Sequence, residues 1–379
     1  MSPPVLDLVL VGGGLANGLL AWRLVMTRPD ISFVILEAGS VLGGNHTWSF
    51  HGTDVTRAQL EWLWVLCSKS WPSHDVAFSG EPRRIGGGYH SIKSEDFHWK
   101  LMEQLKDRVR LRATVKEVTA TRVTLTSGEV VEAKAVIDGR GFSTAPAWPC
   151  GYQKFLGLDL ELESPHTLEV PLLMDGRVEQ FGAFRFVYML PWDERRVLVE
   201  DTSYSDDATL DLPAMRERIT KYLADKNLRV AKVYREEFAA LPIPLSGEAP
   251  VLDRPVIGVA AGLFHATTGY SLPMAADVAD AIPKLPDLSA APITAWLQAH
   301  TRRHWAQHRF FRLLNRMLFR GARPNERVKI FDSFYGHEEE TIARFYAGTL
   351  TLGDKLAVLS RGAGTVPAGR ALRAALLGG

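Results

Sequence analysis

The apolar positions at the start of the chain follow the order strand, turn, helix, strand. Val5 to Val11 is a short apolar run that leads into a glycine cluster. The spacing of apolar residues from about Ala16 to Met26 predicts a helix, and Ser32 to Leu36 predicts a second strand that ends at Glu37. This order predicts a βαβ unit, which is the beginning of a doubly wound sheet.

The following segments continue the mixed pattern. Glu95 to Leu105 has helical spacing, and Val109 to Glu132 predicts short strands around the turn Ser127-Gly128. Ala135 to Ile137 is an apolar run that ends at Asp138 and predicts one more buried strand.

The pattern changes from about Gly151, where strand-like segments follow one another without an intervening helix pattern. These segments are Leu156 to Val170, Gln180 to Leu190 and Val197 to Glu200, and the turn Pro191-Trp192-Asp193 separates the last two. Because strands joined by tight turns pair antiparallel, this region predicts an antiparallel sheet.

A break at Asp253-Arg254-Pro255 introduces the last part of the chain. Val256 to Ala260 has strand character, Gly262 to Pro273 predicts a loop, and Met274 to Ile282 predicts a helix. After Pro283 the pattern is mostly helical to the end of the sequence.

Composition narrows the class of protein. The 379 residues are 46% hydrophobic and 23% charged, which suits a folded chain with a large core and excludes a disordered one. A net charge of +1 gives no reason to expect nucleic-acid binding.

The two cysteines, Cys67 and Cys150, have no metal-ligand spacing around them, so we expect neither a zinc site nor a disulfide framework. The N-terminus has no signal-peptide pattern, and no run of about 18 uncharged apolar residues predicts a membrane span, so we expect a cytoplasmic protein.

The glycine cluster has the form of a dinucleotide-binding loop. Gly12 allows the tight turn after the strand, and Gly14 lets backbone N–H groups approach a pyrophosphate at the helix N-terminus. Glu37 ends the next strand, 23 residues after Gly14, where a carboxylate accepts hydrogen bonds from an adenosine ribose. Asn17 replaces the usual third glycine, and Gly18 follows it.

Two later segments favour FAD over NAD as the dinucleotide. Val136 to Gly141 resembles the strand and turn that close the adenine side in two-domain flavoproteins. Val256 to Gly262, leading into Thr267 to Pro273, resembles the second flavin contact, although Gly262 replaces the usual acidic residue. The candidate cofactor-binding residues are therefore Gly12, Gly14, Gly18, Glu37, His46, Asp138, Gly262 and Gly269.

Together these patterns predict an α/β protein with a two-domain FAD-binding flavoprotein fold. It comprises a Rossmann-type βαβ unit, an antiparallel substrate sheet and a helical C-terminal region. We expect a discontinuous FAD-binding domain over residues 1–150 and 250–285. A substrate-binding region then covers 151–249, and 286–379 form the helical region with a basic, membrane-facing helix.

Five further segments, in order along nearly the whole chain, resemble those of bacterial-type lycopene β-cyclases. They are Asn45 to His51, Val199 to Tyr204, Leu241 to Gly247, Ala266 to Ser271 and Arg344 to Gly348. The resemblance implies closure of the linear ends of lycopene to β-ionone rings. It also implies reduced FAD as cofactor, NAD(P)H as the source of reductant, and peripheral attachment to a membrane.

Ring closure of this kind needs a proton donor for a terminal alkene, a stabilised carbocation and an acceptor for a ring proton. A buried carboxyl that stays protonated at neutral pH is a suitable donor or relay. Glu200, in the segment that resembles the family's acidic motif, is the leading catalytic candidate. Asp201 is the second, although successive strand residues point to opposite faces and we expect it to bond nearby backbone or Thr202. Glu236 and Glu237 are weaker candidates because adjacent glutamates are usually solvated.

Aromatic residues provide candidates for the substrate-lining wall. Trp48 offers a π-face to a carbocation, and nearby His46 either reaches the flavin or holds a backbone carbonyl. Phe184, Phe186 and Tyr188 alternate along a strand and are mostly core residues, with one or two lining a polyene tunnel. The candidate lining residues are Trp48, Tyr188 and Trp192.

The segment from Arg302 to Lys329 carries nine Lys or Arg residues and one acid, interleaved with apolar side chains. Arg302, Arg309, Arg316 and Arg323 recur every seven residues, which predicts one basic helical face. Such a face suits an anionic bilayer surface, or it is the solvated side of a helix packed on the core. Because lycopene resides in the bilayer, the family resemblance favours attachment to the inner face of the cell membrane.

Lycopene, other acyclic carotenoids and further enzymes of the carotenoid pathway are the partners that the resemblance implies. Two other functions remain open at this point. A flavin monooxygenase or isoprenoid reductase of the same broad fold would consume NAD(P)H stoichiometrically, whereas a cyclase needs only catalytic reductant. A non-enzymatic polyene carrier would bind the substrate without forming product.

Overall fold

The computed structural model describes residues 5–142, 146–362 and 366–376. Its strands are β1 (Leu6–Val11), β2 (Phe33–Leu36), β3 (Thr47–His51), β4 (Lys69–Trp71), β5 (His74–Ala77), β6 (Arg83–Ile85), β7 (Tyr89–Lys93), β8 (Val109–Arg110), β9 (Val115–Val118), β10 (Arg122–Leu125), β11 (Val130–Asp138), β12 (Cys150–Leu162), β13 (Leu172–Asp175), β14 (Phe184–Pro191), β15 (Arg196–Ser205) and β16 (Val230–Pro244). Its α-helices are α1 (Leu15–Thr27), α2 (Arg57–Leu63), α3 (Ser94–Leu105), α4 (Leu212–Asp225), α5 (Leu272–Ala281), α6 (Ala290–Gln307), α7 (Arg309–Arg316), α8 (Arg327–Phe334), α9 (Glu339–Tyr346), α10 (Leu352–Gly362) and α11 (Ala368–Leu376).

The predicted βαβ unit forms the centre of the first sheet. Its strand order is β8-β2-β1-β11-β10-β9, and β1 pairs in parallel with both β2 and β11. Because side chains alternate along a strand, Leu8 and Leu10 of β1 pack into the core with α1 and α5, while Val9 and Val11 enter a second apolar cluster. Burial on both faces explains why the sequence is continuously apolar from Leu8 to Val11.

The predicted antiparallel region forms a second sheet, with order β16-β12-β15-β14-β13-β5-β6. Strand β12 pairs antiparallel with β15 on one side and β16 on the other, and among the described strands of this sheet only β13 and β5 pair in parallel. Strands β5 and β6 come from residues 74–85, so an early part of the chain completes this sheet. Helix α4, which the sequence analysis did not predict, packs on one face.

A small sheet of order β3-β7-β4 lies in the first part of the chain. Antiparallel pairing with β7 fixes the position of β3, and β3 carries Thr47, Trp48 and Ser49. Helix α5 also contacts β3, so this strand lies beside the helix that follows the second glycine loop. The small sheet therefore carries side chains from the first part of the chain to the cavity described below.

The prediction of a strand at Val256–Ala260 is wrong. Only Val256 makes a parallel bridge, with Asp138 at the end of β11. Gly258 then adopts a positive φ of 71°, which ends the extended path, and a short 3-10 turn covers Gly258–Ala261. The loop and helix predicted after this point are present, and the C-terminal part is mainly helical as predicted.

The prediction of one basic helical face from Arg302 to Arg323 is also wrong. Helix α6 ends at Gln307, α7 begins at Arg309, and a π-helical turn covers Met317–Gly321. These interruptions rotate the seven-residue repeat out of register. In the described part of the chain, no helix combines the length and the apolar character needed to cross a bilayer.

Candidate active site

A cavity of about 370 Å³ lies between the glycine loops of the first sheet and one face of the second sheet. Backbone-rich segments line the first side, and side chains from β12, β14, β15 and β16 line the other. The lining residues from the loops and β3 are Gly14, Leu15, Ala16, Gly43, His46, Thr47, Trp48, Ser49, Gly139, Arg140, Gly141, Gly258, Val259, Thr268, Gly269, Tyr270, Ser271 and Leu272.

The loop before α1 has the geometry of a phosphate cradle. Gly14 is the extended N-cap residue of α1, and a Cβ atom built there would meet no other atom within 4 Å. The space in front of the helix amides is therefore open, as anion binding requires. Glu37 accepts hydrogen bonds from the backbone N–H groups of Gly13 and Gly39, both at 2.6 Å, and fixes the loop beside the end of β2.

Three of the predicted glycine-motif residues have identifiable packing roles. Gly12 has a φ of 87°, and a Cβ atom there would lie 3.2 Å from Arg140. The side-chain amide of Asn17 donates to the carbonyls of Val11 and Gly12, each at 2.8 Å, and so ties α1 to the end of β1. At Gly18 a Cβ atom would lie 2.5 Å from the ring of Phe97, so this glycine permits close packing of α1 on α3.

The remaining candidate cofactor-binding residues lie in different places, some inside the cavity and some outside it. Gly269 lines the cavity with a φ of 72°. Asp138 forms ion pairs with Arg140 at 2.8 Å and Arg254 at 3.3 Å, and it lines an adjacent cleft. Gly262 lies outside the cavity, where its backbone approaches Pro250 and Trp305. The glycine loops thus meet at the cavity through Gly14, Gly139, Gly141, Gly258 and Gly269.

Glu200 projects into the cavity from β15. Its side chain is buried, and the hydroxyl of Thr202 donates a hydrogen bond to its carboxyl group. Burial raises the pKa of Glu200 to about 8; the Thr202 hydrogen bond opposes the rise, and the negative charges of Glu237 and Asp201 add to it. At neutral pH this carboxyl therefore retains its proton, as the sequence analysis required of a donor.

Asp201 lies on the opposite face of β15 from Glu200. It is fully buried and forms ion pairs with Arg185 and, at 2.8 Å, with Arg218. The expected bond between Asp201 and Thr202 is wrong, because strand alternation places Thr202 on the face of Glu200. These contacts give Asp201 a structural position outside the cavity.

Glu237 is a cavity residue that the sequence analysis underrated. Its side chain is buried, accepts a hydrogen bond from Thr47 at 3.1 Å and lies 2.9 Å from the guanidinium of Arg235. Burial raises its pKa to about 7, against the opposing effect of Arg235. The expectation of solvated adjacent glutamates fails for Glu237 because Glu236, on the other strand face, takes the more exposed position and pairs with Arg216.

Two of the three predicted aromatic lining residues reach the cavity. Trp48 lines it and contacts the ring of Phe97 edge-on at 5.2 Å, and Tyr188 places its hydroxyl 3.3 Å from that of Ser49. Trp192 is buried against Trp71 outside the cavity.

His46 lines the same cavity as Trp48 and Tyr188. Burial, with the positive charge of Arg235, lowers the pKa of His46, so its ring is neutral at pH 7.

A second, smaller chamber adjoins the cavity. It has a volume of about 90 Å³ and is lined mainly by apolar side chains of α7, α8, α9 and α10. Met174, Tyr204, Thr268 and Tyr346 line both spaces. The apolar lining therefore extends from the carboxyl-bearing sheet toward the C-terminal helices.

Comparison with known proteins identifies the family. The family described as lycopene cyclase protein matches residues 7–372. The chain is 46% identical to a lycopene beta-cyclase of Pseudescherichia vulneris, with 98% of this chain and 97% of that protein covered. It is 44% identical to a lycopene beta-cyclase of Pantoea ananas, with 98% of each covered.

Solved structures confirm the predicted fold class. A geranylgeranyl bacteriochlorophyll reductase-like protein of Thermoplasma acidophilum superposes with a TM-score of 0.63, 13% identity and coverage of 96% of this chain and 97% of that one. The tryptophan 5-halogenase MibH superposes with a TM-score of 0.60, 12% identity and coverage of 99% and 92%. At these identities the likeness establishes the shared fold.

Proposed function

This chain belongs to the lycopene cyclase family, and we propose that it closes the linear ends of lycopene to β-ionone rings with Glu200 as the proton donor. The observation that carries the proposal is the buried carboxyl of Glu200 in a largely apolar cavity, held protonated at neutral pH. A protonated carboxyl is a weak acid in water, but a dry and preorganised site increases the rate at which a positioned acid transfers its proton.

The reaction is an isomerisation in which atoms and electrons balance. Transfer of the Glu200 proton to the terminal alkene leaves a tertiary carbocation, which the neighbouring double bond attacks to close the ring. Loss of one ring proton then restores neutrality and forms the ring double bond. Trp48 and Tyr188, which line the cavity, offer aromatic faces toward the positive charge.

The apolar chamber supports a long polyene as the substrate. A linear carotenoid with one end at Glu200 requires an apolar path for the rest of its length. The apolar chamber beside the reaction cavity shares four lining residues with it, so an apolar lining continues from Glu200 toward the C-terminal helices. Other acyclic carotenoids with the same linear end would fit the same cavity.

FAD is the cofactor that fits the glycine loops. The open space over Gly14 at the α1 N-terminus suits a pyrophosphate, and the loop around Gly269 before α5 suits the flavin end. Bound in the reduced, anionic form, FAD would supply negative charge that stabilises a carbocation. NAD(P)H is the proposed source of that reductant.

We further propose that the protein attaches to the inner face of the cell membrane, where it meets its substrate and other enzymes of the pathway. Arg302, Arg309 and Lys329 are exposed on the C-terminal helices, and Leu352 and Leu356 are exposed one turn apart on α10. Exposed basic and apolar side chains of this kind suit an anionic bilayer surface.

Two arginines of the segment from Arg302 to Lys329 are buried and do not contribute to a membrane contact. Arg312 is buried against Trp305, and Arg327 is buried with hydrogen bonds to Asp206 and to three backbone carbonyls.

Anaerobic incubation of the purified protein with FAD, NADPH and liposomal lycopene tests the proposal. We expect β-ring products by chromatography, with far less than one NADPH consumed per ring. Stoichiometric consumption of NADPH with an oxygenated or reduced product would identify the monooxygenase or reductase alternative. Binding of lycopene without any product would identify a carrier.

A further inference from the structure

Two glutamates flank a glycine on one face of the second sheet. In the register of that sheet, Gly157 of β12 is paired with Glu200 of β15 on one side and with Glu237 of β16 on the other. Directly paired residues of antiparallel strands project to the same face. Both glutamates therefore project from the same face, and both line the cavity.

Gly157 leaves the space between the two glutamates open. A Cβ atom at this position would lie 3.1 Å from Cγ and 3.4 Å from Oε1 of Glu237, and 3.3 Å from Cδ1 of Leu198. The Glu237 side chain thus leans over the glycine, from β16 toward β15. A side chain at residue 157 would therefore displace the Glu237 side chain from this position.

The two carboxyl groups have different partners. Glu200 has a neutral hydroxyl donor, Thr202, whereas Glu237 has the Thr47 hydroxyl and the Arg235 guanidinium. A guanidinium stabilises the ionised form of a carboxyl group, and burial without a cation stabilises the protonated form. The site therefore holds a protonated carboxyl next to one that is readily ionised.

Other charged and titratable groups surround the pair on several elements. They are Glu95 on α3, Asp159 on β12 and His46 before β3 on the Glu237 side, and Asp201 on β15, Tyr188 on β14 and Tyr270 before α5 on the Glu200 side. Burial raises both pKa values, to about 7 for Glu237 and about 8 for Glu200, and Arg235 opposes the rise at Glu237. The division of the pair into an acid and a base therefore rests on their partners, because a guanidinium accompanies Glu237 and a neutral hydroxyl accompanies Glu200.

We propose that Glu237 is the general base that removes the ring proton after Glu200 has protonated the alkene. This inference rests on the proposed function. In one cycle the Glu200 O–H bond breaks, a C–H and a C–C bond form, a ring C–H bond breaks, and an O–H bond forms on Glu237. Return of that proton to Glu200 across Gly157 restores the starting state, and no electrons are exchanged.

The test compares Glu237→Gln with Glu236→Gln in the flavin-loaded protein, with liposomal lycopene as substrate. We expect kcat of Glu237→Gln to fall by roughly 10²–10⁴-fold with KM little changed, as for the loss of a positioned base. The acidic limb of the kcat profile, near pH 7 in the unmodified protein, should disappear. Glu236→Gln, on the outer strand face beside Arg216, should retain both kcat and that limb.

A second variant keeps the inference testable if Glu237→Gln leaves Arg235 unpaired and fails to fold. Glu237→Asp retains the carboxylate but withdraws it by one methylene, so we expect a partial loss of kcat with the acidic limb preserved. The inference is overturned if a folded Glu237→Gln protein keeps kcat within about threefold and keeps the limb, or if Glu237→Asp is active without the limb. Either result, with Glu200→Gln inactive, would make Glu200 or the flavin the proton acceptor. Failure of the unmodified protein to form any ring would instead reject the proposed function.

Discussion

The two walls of the cavity have opposite effects on negative charge: one stabilises it and the other destabilises it. On the loop side, Gly14 and the N-terminus of α1 present backbone N–H groups to an open space, which favours a bound anion. On the sheet side, Glu200 is buried with a single hydroxyl partner, which disfavours its own anionic form.

This difference assigns anion binding to the loop side and proton storage to the sheet side. The loop side is built from backbone groups, so it stabilises a charged ligand without titrating. The sheet side is built from side chains, so it stores a proton that an apolar substrate can receive. An alkene has no polar group that the protein can bind. Catalysis therefore depends on the positions of the donated proton and of the negative charge that stabilises the carbocation.

The largest effect should follow from removing the stored proton. Glu200→Gln nearly preserves volume and should lower turnover by roughly 10²–10⁴-fold, the range typical of a positioned acid. Flavin content, measured by absorbance, should be unchanged because the loop side is untouched. Glu200→Asp should give a partial defect. If folded, flavin-loaded Glu200→Gln cyclises lycopene at a near-normal rate, the sheet side does not hold the acid.

Asp201 tests whether the two faces of β15 have separate roles. Asp201→Asn leaves Arg185 buried without its ionised partner, and we expect a loss of about 3 kcal/mol in the free energy of unfolding. Denaturant titration measures this loss, and Asp30→Asn, in an exposed ion pair with Arg28, is the matched control. Turnover per folded molecule should change little; a catalytic loss as large as that of Glu200→Gln would contradict the separation.

On the loop side, Gly14→Val should weaken flavin binding. The added side chain projects into the open space where a pyrophosphate would approach, and we expect a cost of about 1–3 kcal/mol, or roughly 5–150-fold in Kd. Fluorescence titration with FAD measures the change, with circular dichroism as the check on folding. Full flavin occupancy in a folded variant would place the phosphate elsewhere.

The smallest effect concerns the membrane surface. Arg309→Ala removes one exposed charge and should reduce binding to anionic vesicles by about 1 kcal/mol, or roughly fivefold, at low salt. The difference should shrink as salt increases. Arg57→Ala removes another exposed charge, on α2, and should have no such effect. Equal vesicle binding by both variants at every salt concentration would point to another contact surface.

The parts of the site that sequence predicts best are those formed by neighbouring residues. Gly14 and Glu37 belong to one βαβ unit, so their spacing already implies their proximity. Glu237 is different, because its burial depends on the pairing of β16 with β12 and on Arg235 beside it. The pattern of two adjacent glutamates contains neither fact, although strand alternation indicates that only one of them faces inward.

Long-range pairing also explains the other differences. Strands β5 and β6 join a sheet formed mainly by residues far along the chain, and the partners of Asp201 come from β14 and α4. A basic repeat at seven-residue spacing predicts one face only if the helix is continuous, and the break between α6 and α7 removes that condition.

The protonation state of Glu200 can be measured directly by infrared difference spectroscopy, with Glu200→Gln subtracted from the unmodified protein so that Glu237 cancels. The account predicts a protonated carboxyl C=O band at neutral pH that disappears as the pH rises through about 8. The sign follows from burial, which raises the pKa and so favours the protonated form below that value. A difference spectrum with only carboxylate bands at neutral pH would contradict the claim that this carboxyl is the proton donor.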